Sequence, residues 1–378
     1  MSGACIRDVV VTVVAVPYRP GVGAIVTAGL VLTEARHVLV EVRTDDGVVG
    51  LGEAVPRPSI YGETVESIVV ALQQLLVPPL LGMSPLDVER IWQRWERVVG
   101  NTTAKAALDM ACHDIQGKLA GLPLHRMLGG WAGGRIPLTM PVAIADDMVE
   151  QAKTAVAGGY GAVKLKVGKD LRRDVATVEA VRSAIGPDPM LYADANQGYG
   201  TSDALEAARQ FGSLGVDLLE EPVSAGNTAA RVQLAREAHV PLLLDETLMT
   251  QSDLLREIQL GTPSAISVRS PRSGITGSRK VVALAEAAEV ACLVGSHREL
   301  GVATIASAHL AAGFRAMRLP AELGVSTLLS HSLLTEPLRI DDGWLTLPDG
   351  PGLGIELDRA AVSRHRVGDA IAIAEAVR

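Results

Sequence analysis

The sequence predicts an α/β barrel preceded by a smaller α+β domain, and two observations carry that expectation. After residue 134, short apolar runs alternate with Ala-rich stretches of helical texture, and six successive runs end in a polar or charged residue. Measured at Lys166, Asp194, Glu220, Asp245, Arg269 and Glu299, the gaps are 28, 26, 25, 24 and 30 residues, about the length of one strand, loop, helix and return loop. About eight such units close into a (β/α) barrel, whose reactive residues lie at the C-terminal strand ends. A doubly wound sheet would want a Gly-rich phosphate loop after its first strand, and none follows "IPLTMPVA".

The elements follow in order. Residues 6–54 hold two β-branched runs, "VVVTVVAVPY" and "HVLVEVRT", and an Asp-Gly turn in "TDDGVVGLGEA", so the chain begins as antiparallel sheet. From about Thr64 to Gly129 the pattern turns helical. There "NTTAKAALDMACHDIQGKLAG" opens on cap-type residues and closes near Gly121 and Pro123. Strands followed by segregated helices make an α+β domain. The barrel runs are "IPLTMPVA", "AVKLKV", "MLYADA", "VDLLEE", "PLLLDE", "AISVRS", "ACLVGS" and a weaker one near "LPAELGV". The tail "DDGWLTLPDGPGLGIELD" reads as turns and edge strands returning to the N-terminal domain. The expected division is 1–130, 131–330 and 331–378.

Composition narrows the function. With 378 residues, 48% hydrophobic and 21% charged, the chain can bury a large aliphatic core. A net charge of −8 without long charge runs leaves no basic footprint for nucleic acid or an anionic membrane, so a small molecule is the expected ligand. Cys5, Cys112 and Cys292 are odd in number and far apart, with no metal-site spacing, which fits thiols of a reducing cytoplasm rather than disulfides. The run "VVVTVVAVP" is too short to span a bilayer and lacks a signal-peptide layout.

Three consecutive strands end in carboxylates: Asp194 in "YADANQ", Glu220 in "LLEEP" and Asp245 in "LLLDET". Adjacent barrel strand ends converge, and three anions brought together are costly unless a cation offsets them. Oxygen-only ligands point to Mg²⁺, with Mn²⁺ as the substitute, rather than zinc. Glu221 and Glu246, beside the ligands, are expected to face the other way by strand alternation. Asn196, two past Asp194, shares its side and can bond a ligand or metal-bound water, or simply form the turn before "QGYG". One strand earlier, Lys164 and Lys166 in "VKLKVG" share a face. Two close ammonium groups depress each other's pKa, so a partly desolvated lysine here is expected to exchange protons near pH 7.

The motifs "KLKVG", "DANQGY", "LLEEP", "LDET" and "SGITGS", with "TDDGVVGLGEA", "RPSIYGET" and "PGLGIELD", resemble the enolase superfamily and in particular its muconate lactonizing (muconate cycloisomerase) subgroup. The resemblance implies a (β/α)7β barrel under a capping domain built from N- and C-terminal segments. It implies Mg²⁺ at Asp194, Glu220 and Asp245, acid/base chemistry at Lys166 through an enolate, Lys164 as its partner, and an acidic role for Glu299. It also implies substrate selection by capping loops, here 18–29 and 55–64, with Arg57 and Tyr61 as candidate contacts beside the alternative of exposed loop residues without a role. The expected partners are a small carboxylate and further copies of the chain.

The pattern departs at the sixth strand. The family's second acid/base lysine is replaced by Arg269, which stays protonated. Two-base racemisation or epimerisation is thereby disfavoured, whereas bidentate carboxylate binding suits a dicarboxylate such as muconate. Lactonization needs one proton donor, Lys166. A one-base dehydration of a hydroxy or amino acid assisted by His297 or Glu299 stays open, although no sixth-strand Asp accompanies His297. A metal-carboxylate binder impaired by Arg269 is the non-enzymatic alternative.

Overall fold

The computed structural model describes residues 4–20, 22, 25–27 and 30–374. The N-terminal runs form an antiparallel sheet in the order Ile371–Ala374, Ile6–Pro17, Glu34–Thr44, Val49–Ala54. The Asp-Gly turn closes the last hairpin, with Gly47 at φ +91° and Thr44 donating its N–H to Val48 O at 3.0 Å. One face of this sheet carries Val9, Val11, Val38, Val40 and Val42 into a core shared with Ile68, Leu72, Trp95 and Leu108.

The long helix Thr102–Ala120 ends as its sequence predicts, with Gly121 at φ +68°. Its start differs. Asn101 makes no side-chain cap; Glu63 accepts from Thr103 N (3.1 Å) and Thr102 Oγ1 (3.0 Å), tying the 55–64 loop to the helix. The helix lies directly on the strand Val49–Ala54 because Gly50 and Gly52 carry no side chain. A Cβ on Gly52 would stand 1.9 Å from Ala107 O, and one on Gly50 2.0 Å from Ala111 O. Gly52→Ala is therefore expected to cost about 1–3 kcal/mol through forced separation, measured as a lower denaturant midpoint.

Seven parallel strands follow in sequence order: Thr139–Val142, Ala162–Lys166, Met190–Asp194, Leu218–Glu220, Leu242–Leu244, Ala265–Val268 and Ala291–Val294. The weak eighth run closes the ring without being a regular strand. Cys292 N donates to Ala316 O and Glu322 N to Val294 O on one side, and Ala321 exchanges bonds with Pro137 and Thr139 on the other. The architecture is thus a (β/α)7β barrel with a separate capping sheet.

Two expectations change in detail. The run "IPLTMPVA" splits at Leu138: Arg135–Pro137 pairs antiparallel with Trp344–Thr346, and only Thr139–Val142 enters the barrel. The middle of the tail therefore packs beside the barrel, and Ile371–Ala374 returns to the capping sheet. Among the described residues, no helix is long and apolar enough to cross a membrane.

Candidate active site

Register brings the polar strand ends into a row. Lys166 pairs with Asp194 across the second and third barrel strands, and Asp194 with Glu220 across the third and fourth. Asp194, Glu220 and Asp245 are each buried to within 1% of full burial. Loops leaving these strands hold non-glycine residues in the left-handed region, Asn196 at φ 41°, Gln197 at 66°, Glu221 at 37° and Arg298 at 65°. Such strain concentrates where side chains must be aimed.

Both lysines reach the acidic row, but in different ways. Lys164 Nζ is fully enclosed at 3.0 Å from Asp194 Oδ2, 2.8 Å from Glu220 Oε2 and 2.9 Å from Glu322 Oε2. Burial alone would lower its pKa; attraction from those three carboxyl groups outweighs it and raises Lys164 well above the ordinary lysine value. This corrects the expectation of a depressed pKa at Lys164, whose ammonium shares Asp194 with that of Lys166. Lys164 is a fixed cation. Lys166 Nζ donates to Asp194 Oδ2 (2.5 Å) and Asn196 Oδ1 (2.7 Å), with its side chain 29% exposed at the barrel mouth. Asn196 also accepts the turn role, its N–H bonding Asp194 Oδ1 at 2.8 Å.

On the other side of the row, Arg269 grips Asp245 as a fork, Nε to Oδ1 at 2.7 Å and Nη2 to Oδ2, while Nη2 stands 3.9 Å from Glu220 Oε1. Arg272, one turn into the following helix, adds Nη2 to Asp245 Oδ1 at 2.5 Å and Nη1 to the Asp245 and Leu248 carbonyls. Against the opposing effect of burial, the two guanidinium groups hold Asp245 well below the usual carboxylate range. Burial and the neighbouring carboxyls of Asp194 and Asp245 push Glu220 the other way, well above it, despite Lys164. Asp194, between two ammonium groups, falls to about 2 although burial works against it.

The capping domain reaches this mouth through Tyr61, whose hydroxyl bonds His297 Nε2 and accepts from Arg272 Nε at 3.1 Å. Tyr61 is therefore not the exposed loop residue that the alternative reading allowed. His297 has a partner, and burial together with Arg269, Arg57 and Arg272 drives its pKa well below the ordinary value, so it is neutral. Glu299 is buried and turned onto its own loop, accepting from Ser296 Oγ (2.5 Å) and His297 N (2.6 Å). Arg57 is half-buried at the start of the turn Pro58–Tyr61, where Glu299 attracts it and Arg298 and Arg269 repel it. Of the predicted loop 18–29, residues 21, 23, 24, 28 and 29 lie outside the described residues; Tyr18 at its start is 9% exposed.

Three functional neighbours were not expected. Glu322, from the irregular eighth run, completes the cage around Lys164, and Arg272 shares Asp245. Glu246 is the third, because the strand ends at Leu244 and alternation no longer applies beyond it. Asn196 Nδ2 donates to Glu246 Oε1 at 3.2 Å, so this carboxyl faces the acidic row. Glu221 does face away as expected, accepting from Asp245 N and Thr247 N at 2.8 Å and so positioning Asp245. Burial, then Asp245 and Asp194, push Glu246 up to about 8. Between the ordinary carboxylate value and about 8, the folded chain keeps a proton that the unfolded chain has released, so this group's contribution to stability falls as pH rises. Unfolding midpoints in metal-free buffer from about pH 5 to pH 8 are expected to decline less in Glu246→Gln than in the parent.

The donor chemistry suits a hard divalent cation. Asp194, Glu220 and Asp245 offer only oxygens, and buried Glu220 Oε2 accepts no aligned hydrogen bond although Lys164 Nζ is 2.8 Å away. As the side chains stand, no three His, Cys, Asp or Glu groups among the described residues are disposed to hold a metal ion. Lys164 and Arg269 are the cations on which these carboxylates close.

Residues 6–129 match the family model for the mandelate racemase / muconate lactonizing enzyme N-terminal domain, and residues 147–361 match that for the enolase C-terminal domain-like family. Muconate cycloisomerase 1 of Rhodococcus opacus is 34% identical over 88% of this chain and 91% of its own length. N-succinyl-L-Arg/Lys racemase of Bacillus cereus is 33% identical over 85% and 88%. A crystal structure of muconate lactonizing enzyme from Mycobacterium smegmatis complexed with muconolactone superposes with a TM-score of 0.91 at 34% identity, covering 96% of this chain and 100% of that one. The chain belongs to the enolase superfamily, in its mandelate racemase / muconate lactonizing enzyme branch.

Proposed function

We propose that the chain is a cytoplasmic, Mg²⁺-dependent one-base enzyme acting at the α-carbon of a carboxylate, and that its reaction is lactonization of a muconate-type dicarboxylate. The observation that carries the reading is the asymmetry of the mouth: Lys166 is a partly exposed amine on one side of the acidic row, and Arg269 a guanidinium on the other. A magnesium or manganese ion held by Asp194, Glu220 and Asp245 would supply charge stabilisation to the substrate carboxylate.

The chain's own residues do the remainder. In lactonization a substrate carboxylate oxygen bonds to the far end of a conjugated double bond, and the resulting enolate takes one proton at its α-carbon. Lys166 delivers that proton, its Nζ aimed by Asp194 and Asn196. Lys164 stays charged beneath, favouring negative charge above it. Arg269 cannot exchange a proton at neutral pH, and neutral His297 is engaged by Tyr61, so neither serves as the second base of a racemase or the acid of a dehydratase.

The proposed partners are therefore a small dicarboxylate and further copies of the chain. Incubating the protein and Mg²⁺ with cis,cis-muconate, followed by NMR, tests the reading. Muconolactone is the expected product, with N-succinyl amino acids and dipeptides left uninverted. Absence of lactone while the metal is bound would reject the muconate assignment, and inversion of either amino-acid substrate would reject the one-base assignment.

A further inference from the structure

The lone pairs of Asp245 are nearly all taken. A carboxylate offers about four acceptor positions. Three on Asp245 are filled by guanidinium hydrogens: Oδ1 accepts from Arg269 Nε and Arg272 Nη2, and Oδ2 from Arg269 Nη2. A divalent cation approaching Oδ2 would meet the Arg269 guanidinium face to face. Lysine, a point charge on a flexible stem, could yield by rotating away, but the planar fork surrenders two bonds at once. The same nitrogen that holds Oδ2 is 3.9 Å from Glu220 Oε1, so Arg269 stands beside a second member of the acidic row.

Charge gives the same answer by a separate route. The ion-paired cluster sets four cations, Lys164, Lys166, Arg269 and Arg272, against four carboxyl groups, Asp194, Glu220, Asp245 and Glu322. Within these ion pairs no negative charge is in surplus; Glu246, bonded to Asn196, lies outside them. Two positive charges added to a buried cluster need two negative charges brought with them, and a dicarboxylate carries that number. One of its carboxylates can also replace Asp245 as the bidentate partner of Arg269, because guanidinium forks accept any carboxylate of the right geometry.

Resting on the reading above, we propose that Arg269 couples metal to substrate: it competes with the divalent cation for Asp245 until an anionic substrate takes over its fork. Metal and dicarboxylate then bind with positive cooperativity, each raising the other's affinity by one common factor. In this account Arg269 acts on the metal through Asp245 and on the substrate through its own fork. The glycine beside it shows how tightly its place is set, since a Cβ on Gly295 would lie 2.8 Å from Arg269 Cζ.

Mn²⁺ titration of the full chain, followed by the electron paramagnetic resonance signal of free Mn²⁺, reads this without turnover. In the parent protein, millimolar succinate is expected to tighten Mn²⁺ binding by roughly 5- to 150-fold, the usual range of coupling between two ligands. Arg269→Met is expected to bind Mn²⁺ more tightly than the parent without succinate and to lose the succinate effect. Asp245 keeps Arg272 in that variant, and circular dichroism reports whether it folds. Arg269→Lys, which keeps charge but not the fork, should fall between the two and supplies the comparison should the methionine variant unfold. If neither variant binds Mn²⁺ more tightly than the parent, the competition is refuted while the proposed enzyme stands. If no form binds Mn²⁺ with or without succinate, the metal-dependent reading fails together with it.

Discussion

Lys166→Met is expected to lower turnover by about 10²–10⁴-fold, the usual contribution of a positioned acid or base, with little change in folding stability. Lys166 is the only one of the two strand-end lysines whose side chain meets solvent at the mouth, and Asp194 keeps its bond to Lys164 when Lys166 is removed. Lys166→Arg should be nearly as inactive, since it restores charge and hydrogen bonds but cannot release a proton at neutral pH. The pair separates proton transfer from electrostatics. Steady-state kinetics beside an unfolding curve checks it, and wild-type turnover in either variant would assign the proton to another group.

Lys164→Met should act on stability instead. Lys164 is buried among Asp194, Glu220 and Glu322, and its removal leaves three carboxyl groups without their shared cation. Breaking a buried ion pair from one side costs about 3–5 kcal/mol. Glu220, already pushed up by burial and by its neighbouring carboxyl groups, is the group that takes a proton to relieve the loss. The deficit should therefore shrink as pH falls, and Mg²⁺ should restore part of it by standing in for the ammonium. Denaturant unfolding with and without Mg²⁺ measures both effects; a variant as stable as the parent in metal-free buffer at neutral pH would show that Lys164 does not neutralise the row.

The parts of this site that were legible in the sequence are those the βα period enforces. One polar residue per unit, at nearly constant spacing, is enough to align Lys166, Asp194 and Glu220, because parallel register carries strand ends into a row, and Asp245 follows one residue past the end of the next strand. Partners lying off the period were not legible. Arg272 sits one turn into a helix, and Glu322 on a run too irregular to register as a strand. Tyr61 meets His297 across 236 residues of chain. Glu246 was misread because alternation was extended past Leu244, where the strand stops. The charge state of Lys164 was misread for a related reason: two lysines two apart on one strand suggest repulsion, but the carboxyl groups that decide the matter arrive from three other segments. Arg269 was recognised as a departure, and its grip on Asp245 required the fold.

The most direct measurement of the central claim is the position of solvent deuterium in lactone formed in D₂O. A single donor at Lys166 predicts one deuterium at the α-carbon, on one face only, and loss of lactone formation in Lys166→Met. Label on both faces in the parent, or undiminished formation of single-face-labelled lactone by Lys166→Met, would mean that another group handles the proton, contradicting the account.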